Sequence, residues 1–169
     1  MIHSAVTSSS LRWHFVLRYF PIMKTNTENG SRDPQRPRLA LVAHDNKKPA
    51  LLDWAGSHLR ELAACELWAT GTTGGMLIDE LGLAVTRLHS GPMGGDQQIG
   101  AMIAEGRIDM LVFFWDPLEP QPHDPDVRAL LRIAAVWDLP VACNRSTADL
   151  LMASPLLSDR LSSPVTASR

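Results

Sequence analysis

Apolar residues along this chain fall into short continuous runs separated by stretches with a helical repeat. Residues 39–43 (LALVA) are continuously apolar, the mark of a strand covered on both faces. The run ends at His44-Asp45. Pro49 suits a first helical turn, and Leu51, Ala55, Leu59 and Leu62 then recur on one predicted helical face. Residues 66–69 (ELWA) predict a second strand, which runs into a loop, Thr70-Gly71-Thr72-Thr73-Gly74-Gly75. A short helix carrying Met76, Leu77 and Leu81 follows, and Gly82 ends it. Residues 84–88 predict the third strand. After a glycine-rich stretch, Ile99, Met102 and Ile103 mark another helix. Residues 109–115 (DMLVFFW) form the most apolar strand, which predicts a central position. Asp124-Pro125-Asp126 is a strong helix start, with Val127, Leu130, Leu131 and Ala134 as the buried face. Residues 140–143 predict a fifth strand, and Ser146 is expected to cap a last helix running through Met152. Five strands alternating with helices predict one doubly wound α/β domain, a five-stranded parallel sheet flanked by helices. Strand order is not readable from the pattern.

The two ends stand apart from this domain, which is expected to span residues 38–155. Residues 11–23 are apolar and aromatic, with Arg12 and Arg18 among them, and KTNTENGSRDPQRP after them is polar and turn-rich. Residues 1–37 are therefore expected to be a disordered extension, or the product of a start codon upstream of a true start at Met23. They lack the clean apolar core and cleavage site of a secretory signal. Residues 156–169 are a short, serine-rich tail.

Composition narrows the function classes. Of 169 residues, 45% are apolar and 20% charged, as in one soluble globular domain with a real core. A net charge of −2 gives no basic surplus for nucleic acid, and no apolar run is long enough to span a bilayer. Cys65 and Cys143 have no metal-ligand spacing and lie in apolar runs. They are expected to be reduced, buried and structural, in a cytoplasmic setting, with no metal site.

The stretch Ser90 to Gln98 (SGPMGGDQQ) places Asp96 where a strand hands over to a helix. Two readings stay open from the residues alone. Asp96 caps the helix, or its carboxylate is presented into a cleft. Ligands of open α/β sheets bind beyond the carboxyl ends of the strands, and the unusual polar residues of this chain gather there. His44 and Asp45 follow the first strand, TGTTGG the second, Ser90, Gly91 and Asp96 the third, and Asp116 and then His123 the fourth. TGTTGG suits an oxyanion, because glycines admit close backbone approach and a following helix offers free N–H groups. It equally suits a plain tight turn. Lys48 supplies full charge nearby. The loop has no Walker lysine and no GxGxxG, so a small phosphate fits better than a nucleotide. Two histidines and three acids on converging loops suit proton transfer. His58 and His89 have no such company, and Arg128 and Arg132 are expected on the outer face of a helix.

LVAHDNKK, ATGTTGG, SGPMGGDQQIGAMIAEGRID, FFWDP and PHDPDVRALLRIA, in this order, resemble methylglyoxal synthase from about residue 39 to about residue 155. The resemblance implies a lyase that converts dihydroxyacetone phosphate to methylglyoxal and inorganic phosphate through an ene-diolate. It implies Asp96 as the catalytic base and His123 as a catalytic and substrate-binding residue. His44, Lys48, Thr70, Gly71, Thr72, Thr73, Ser90 and Gly91 match substrate-contacting positions, and Asp45, Asp116 and Asp126 match supporting acids. It further implies a homohexamer, no metal or organic cofactor, and inhibition by phosphate. The tail departs from the family, in which an arginine near the terminus reaches a neighbouring subunit's phosphate site. Neither Arg160 nor Arg169 is assignable to that role. Two rival readings use the same residues: a non-catalytic phosphate-sensing module, and an isomerase or aldolase acting on the same intermediate. No lysine sits at an apolar strand end for a Schiff base, which weakens the aldolase.

Overall fold

The computed structural model describes residues 36–119, 124–154 and 157. Five strands form one parallel sheet: β1 (Arg38–Ala43), β2 (Glu66–Ala69), β3 (Val85–Arg87), β4 (Met110–Phe114) and β5 (Val141–Ala142), in the spatial order β3-β2-β1-β4-β5. The helices are α1 (Lys48–Ser57), α2 (Leu59–Ala63), α3 (Gly71–Leu81), α4 (Gly95–Ala104), α5 (Asp124–Val136) and α6 (Arg145–Met152). The doubly wound parallel architecture is the one the apolar runs predict.

Alternation along β1 divides the core in two. Leu39, Leu41 and Ala43 face a cluster with Leu51, Trp54 and Ala55 of α1, Leu77 of α3 and Met152 of α6. Ala40 and Val42 face the opposite cluster, with Ile99 and Ile103 of α4 and Val127, Leu130 and Ala134 of α5. β1, not β4, occupies the middle of the sheet. β4 is also interior and buried throughout, which is why its apolarity alone did not distinguish the two. The chain leaves β1 toward β2 and β3, then returns to the other side of β1 for β4 and β5. The carboxyl ends of β1 and β4 are thus a topological switch point, where a crevice opens.

Arg38 and Asp109 fasten the opposite, amino end of these two strands. Arg38 Nε and Nη2 donate to the two Asp109 oxygens at 2.9 and 2.8 Å, and the Arg38 backbone N–H donates to Oδ2 at 3.0 Å. Such forked, charge-assisted bonds are the strong kind. Asp109→Ala is expected to lower stability by about 1–3 kcal/mol, read as a shifted midpoint in urea.

Local expectations are corrected in four places. The predicted first helix breaks at His58 (φ −119°, ψ 25°), so α2 takes a new direction and Leu59 is exposed. The glycine-rich TGTTGG is not a loop: Thr70 is the cap position and residues 71–75 open α3. α6 is capped by Asn144, whose side chain accepts from the Thr147 N–H at 3.0 Å, and Ser146 lies inside the helix. His58 does have company, since its Nε2 lies 2.9 Å from Asp149 and its ring packs 5.2 Å from that of Trp54. Other expectations agree: Gly82 closes α3 with φ 66°, and Arg128 and Arg132 are exposed.

Cys65 is buried just before β2, and burial pushes its thiol up to about 11. Cys143 is only half-buried, less than expected, although desolvation raises its thiol too. Among the described residues no helix is long and apolar enough to cross a membrane. The residues 1–35 and 158–169 expected to form the extension and most of the tail lie outside the described residues.

Candidate active site

The crevice at the switch point is an open cavity of 240 Å³, lined by residues from the carboxyl ends of four strands. This is below the ~300–1,000 Å³ of sites for drug-sized ligands, so it suits a small metabolite. Val42, Ala43 and His44 come from β1 and its end, Thr70 from β2, Ser90, Gly91 and Pro92 from the segment after β3, and Phe113 from β4. Asp45, Lys48, Thr72 and Asp96 complete the lining.

One wall carries positive charge and hydroxyls. The Lys48 ammonium, at the start of α1, donates to Thr72 Oγ1 at 2.6 Å and also to Asp45, whose side chain is 87% exposed. It therefore joins the segment after β1 to the first turn of α3. The first turn of a helix has N–H groups without intrahelical partners, the arrangement that receives an oxyanion. The Gly71 N–H donates to the His89 carbonyl at 3.0 Å. A Cβ on Gly71 would lie 3.0 Å from the Ser90 nitrogen, so glycine lets the two segments approach closely without displacing the Ser90 backbone.

Another part of the lining carries the acid. Asp96 is 3% exposed and occupies the second position of α4. The cap position belongs to Gly94, whose φ of 94° is natural only to glycine, so the reading of Asp96 as the cap does not hold. Its carboxylate borders the cavity instead.

His44 is fixed in the same lining. The Asp116 backbone N–H donates to His44 Nδ1 at 3.3 Å, and Phe113 meets the imidazole edge-on at 5.3 Å between centroids. An Nδ1 that accepts a hydrogen bond carries no proton, so the ring's proton sits on Nε2 as a donor. Asp116 is buried outside the cavity lining. Its carboxylate accepts from the Leu118 N–H at 3.2 Å and from Asn46 at 3.4 Å, and it supports the loop instead of facing the cavity.

The other sequence candidates are placed as follows. Thr73 is fully buried behind the cavity wall, and its Oγ1 has no hydrogen-bond partner among the described residues. Gly71 is buried beside Ser90 and meets the cavity through no side chain. Asp126 does not line the cavity; it lines a mostly apolar groove between α4 and α5 that shares Asp96 with the cavity. His123 lies outside the described residues. Sequence reasoning passed over Phe113, read only as a core residue of its strand, and Asn46, whose amide also donates to Glu119 at 2.6 Å. Both lie in segments that carry the family resemblance, LVAHDNKK and FFWDP, but the residue types alone did not single them out.

Lys48 and the hydroxyls of Thr70 and Thr72 line the same small crevice as the buried Asp96 on a doubly wound domain, an arrangement able to receive a small anionic metabolite. The MGS-like domain family matches residues 50–143 of this chain. Methylglyoxal synthase from Pseudoalteromonas atlantica is 65% identical over 123 residues, covering 73% of this chain and 91% of that protein. Methylglyoxal synthase from Cellvibrio japonicus is 62% identical over 125 residues, covering 74% and 81%. The crystal structure of methylglyoxal synthase from Elizabethkingia anophelis superposes with a TM-score of 0.70 at 50% identity, covering 73% of this chain and 81% of that one. The chain belongs to the methylglyoxal synthase family.

Proposed function

We propose that this chain is a lyase that converts dihydroxyacetone phosphate to methylglyoxal and inorganic phosphate. The observation that carries the reading is the buried Asp96 carboxylate bordering the same cavity as Lys48, Thr70, Thr72 and Ser90. On this reading one group takes a proton while the others hold a phosphate in the same cavity.

The phosphate rests on residues 70–73, with Lys48 and Ser90 supplying charge and a further donor. Asp96 removes a proton from the hydroxymethyl carbon beside the carbonyl. The electron pair moves onto the carbonyl oxygen and gives an ene-diolate. His44, donating through Nε2, and His123, carried over from the family pattern, stabilise the developing charge; such aimed donors are often the largest catalytic term. The ene-diolate then expels phosphate by breaking the C–O bond on the other side of the former carbonyl. The enol that remains tautomerises to methylglyoxal. Elimination requires that C–O bond to stand roughly perpendicular to the ene-diolate plane. An isomerase would hold it in the plane, so the grip of Lys48 and α3 on the phosphate decides the outcome. Asp45, Asp116 and Asp126 act as supporting acids, Asp45 by holding Lys48. The steps draw on the chain's own side chains and backbone N–H groups, without metal or organic cofactor. The working form on this reading is a cytoplasmic homohexamer, inhibited by phosphate competing for residues 70–73.

The test is product identity. Purified protein is given dihydroxyacetone phosphate without added metal, and methylglyoxal and free phosphate are assayed together. Equal release of both is expected. Glyceraldehyde 3-phosphate as the product, or phosphate binding with no turnover, overturns the lyase reading.

A further inference from the structure

Arg87 lies on the edge strand β3, outside the cavity lining, with its guanidinium against the opening turn of α3. Its Nε–H donates to the Gly71 carbonyl at 3.0 Å. A Cβ on Gly75 would lie 3.4–3.6 Å from Cζ and both terminal nitrogens of Arg87, so the fork covers Gly75. A Cβ on Gly74 would lie 2.8 Å from Arg87 Cγ, so the stem crosses Gly74. The last two glycines of TGTTGG are therefore a floor for this side chain. They sit inside a helix without positive φ, where glycine is a poor choice unless something needs the space.

The sign of the charge is informative. A cation beside the first turn of a helix opposes the helix dipole and does nothing for the stability of α3 by itself. The same cation favours an anion held on that turn. We propose that Arg87 is a positioning residue for phosphate recognition. It fixes the Gly71 peptide, and with it the N–H groups of the first turn of α3, and adds positive potential from behind the site. The proposal rests on the reading of residues 70–73 as the phosphate seat and names a residue that does not itself touch substrate.

Arg87→Met keeps the aliphatic stem over Gly74 and removes the fork and its charge. Inorganic phosphate, titrated by calorimetry into the full-length protein, is expected to bind about tenfold more weakly. The KM for dihydroxyacetone phosphate should rise by a similar factor, with the change falling on KM and not on kcat, and with the melting temperature close to that of the unsubstituted protein. Arg87→Lys, which retains a charge and one donor, should recover part of the affinity. Phosphate affinity and KM both unchanged in Arg87→Met would overturn the proposal. So would a loss shared equally by kcat and melting temperature, the mark of a general disturbance of the edge strand. If the unsubstituted protein binds phosphate but makes no methylglyoxal, the lyase reading falls while the phosphate titration still decides the role of Arg87.

Discussion

Asp96→Asn is expected to lower turnover of dihydroxyacetone phosphate by about 10²–10⁴-fold while the protein stays folded and still binds phosphate. Asparagine has nearly the shape of aspartate, so the packing around a side chain only 3% exposed is kept. What it lacks is basicity. The loss should fall on kcat, because in the proposed mechanism Asp96 acts on the carbon that reacts and not on the phosphate. Removing an acid from the first turn of α4 also costs a helix-end interaction of about 0.3–1 kcal/mol, too little to unfold a domain. The measurements are kcat and KM with dihydroxyacetone phosphate, phosphate affinity by calorimetry, and a melting curve. Turnover near that of the unsubstituted protein would remove Asp96 from the role of base.

Gly95→Ala is expected to damage both stability and activity, although it adds one methyl group next to the reacting residue and none to the cavity. A Cβ on Gly95 would lie 2.1 Å from the His89 carbonyl oxygen, 2.9 Å from its carbon and 3.1 Å from the Ser90 carbonyl carbon. All three are backbone atoms that no rotamer can move. The segment is also tied down, since the Gly95 N–H donates to the Ser90 carbonyl at 3.0 Å. Either α4 or the segment after β3 must shift. Overpacking of this kind costs about 1–3 kcal/mol. A shift near 1 Å at Asp96 costs on the order of 10²-fold in rate. Gly100→Ala in the same helix meets nothing within 4 Å and serves as the comparison. It should be neutral or stabilising by about 0.4–1 kcal/mol, because alanine lowers the entropy of the unfolded chain. Urea midpoints and kcat for the two variants, side by side, check the argument. Equal behaviour would mean that the approach to His89 is not rigid.

The parts of this fold that the sequence reveals are those governed by neighbours along the chain. Five apolar runs mark five strands, and Gly82 marks the end of α3, because burial on both faces and left-handed backbone each leave a local signature. The gathering of His44, Lys48, Thr70, Thr72, Ser90 and Asp96 around one cavity follows from their common position after strand ends. Features set by tertiary contact were not legible. The middle place of β1 depends on the return of the chain after β3, and the higher apolarity of β4 marks only that it too is interior. Leu59 fits the helical period of Leu51 and Ala55, yet the chain turns at His58 and exposes it. TGTTGG has the composition of a turn but winds as a helix, since its glycines answer to Ser90 and Arg87, which are distant in sequence. The partner of His58, Asp149, is 91 residues away. The sequence names Ser146 as the cap of α6, but the chain enters the helix two residues earlier, at Asn144, because of its direction after β5.

Among the described strands, the sheet ends at β3 on one side and β5 on the other, of three and two residues. Their outer edges offer few unpaired backbone groups, and one bears the Arg87 charge. Such margins are poor templates for an added strand and resist the runaway pairing that leads to fibrils. Copies of this chain that meet through the described residues are therefore expected to join by helix faces and loops, leaving the hydrogen-bond ladder of each sheet closed to its neighbours.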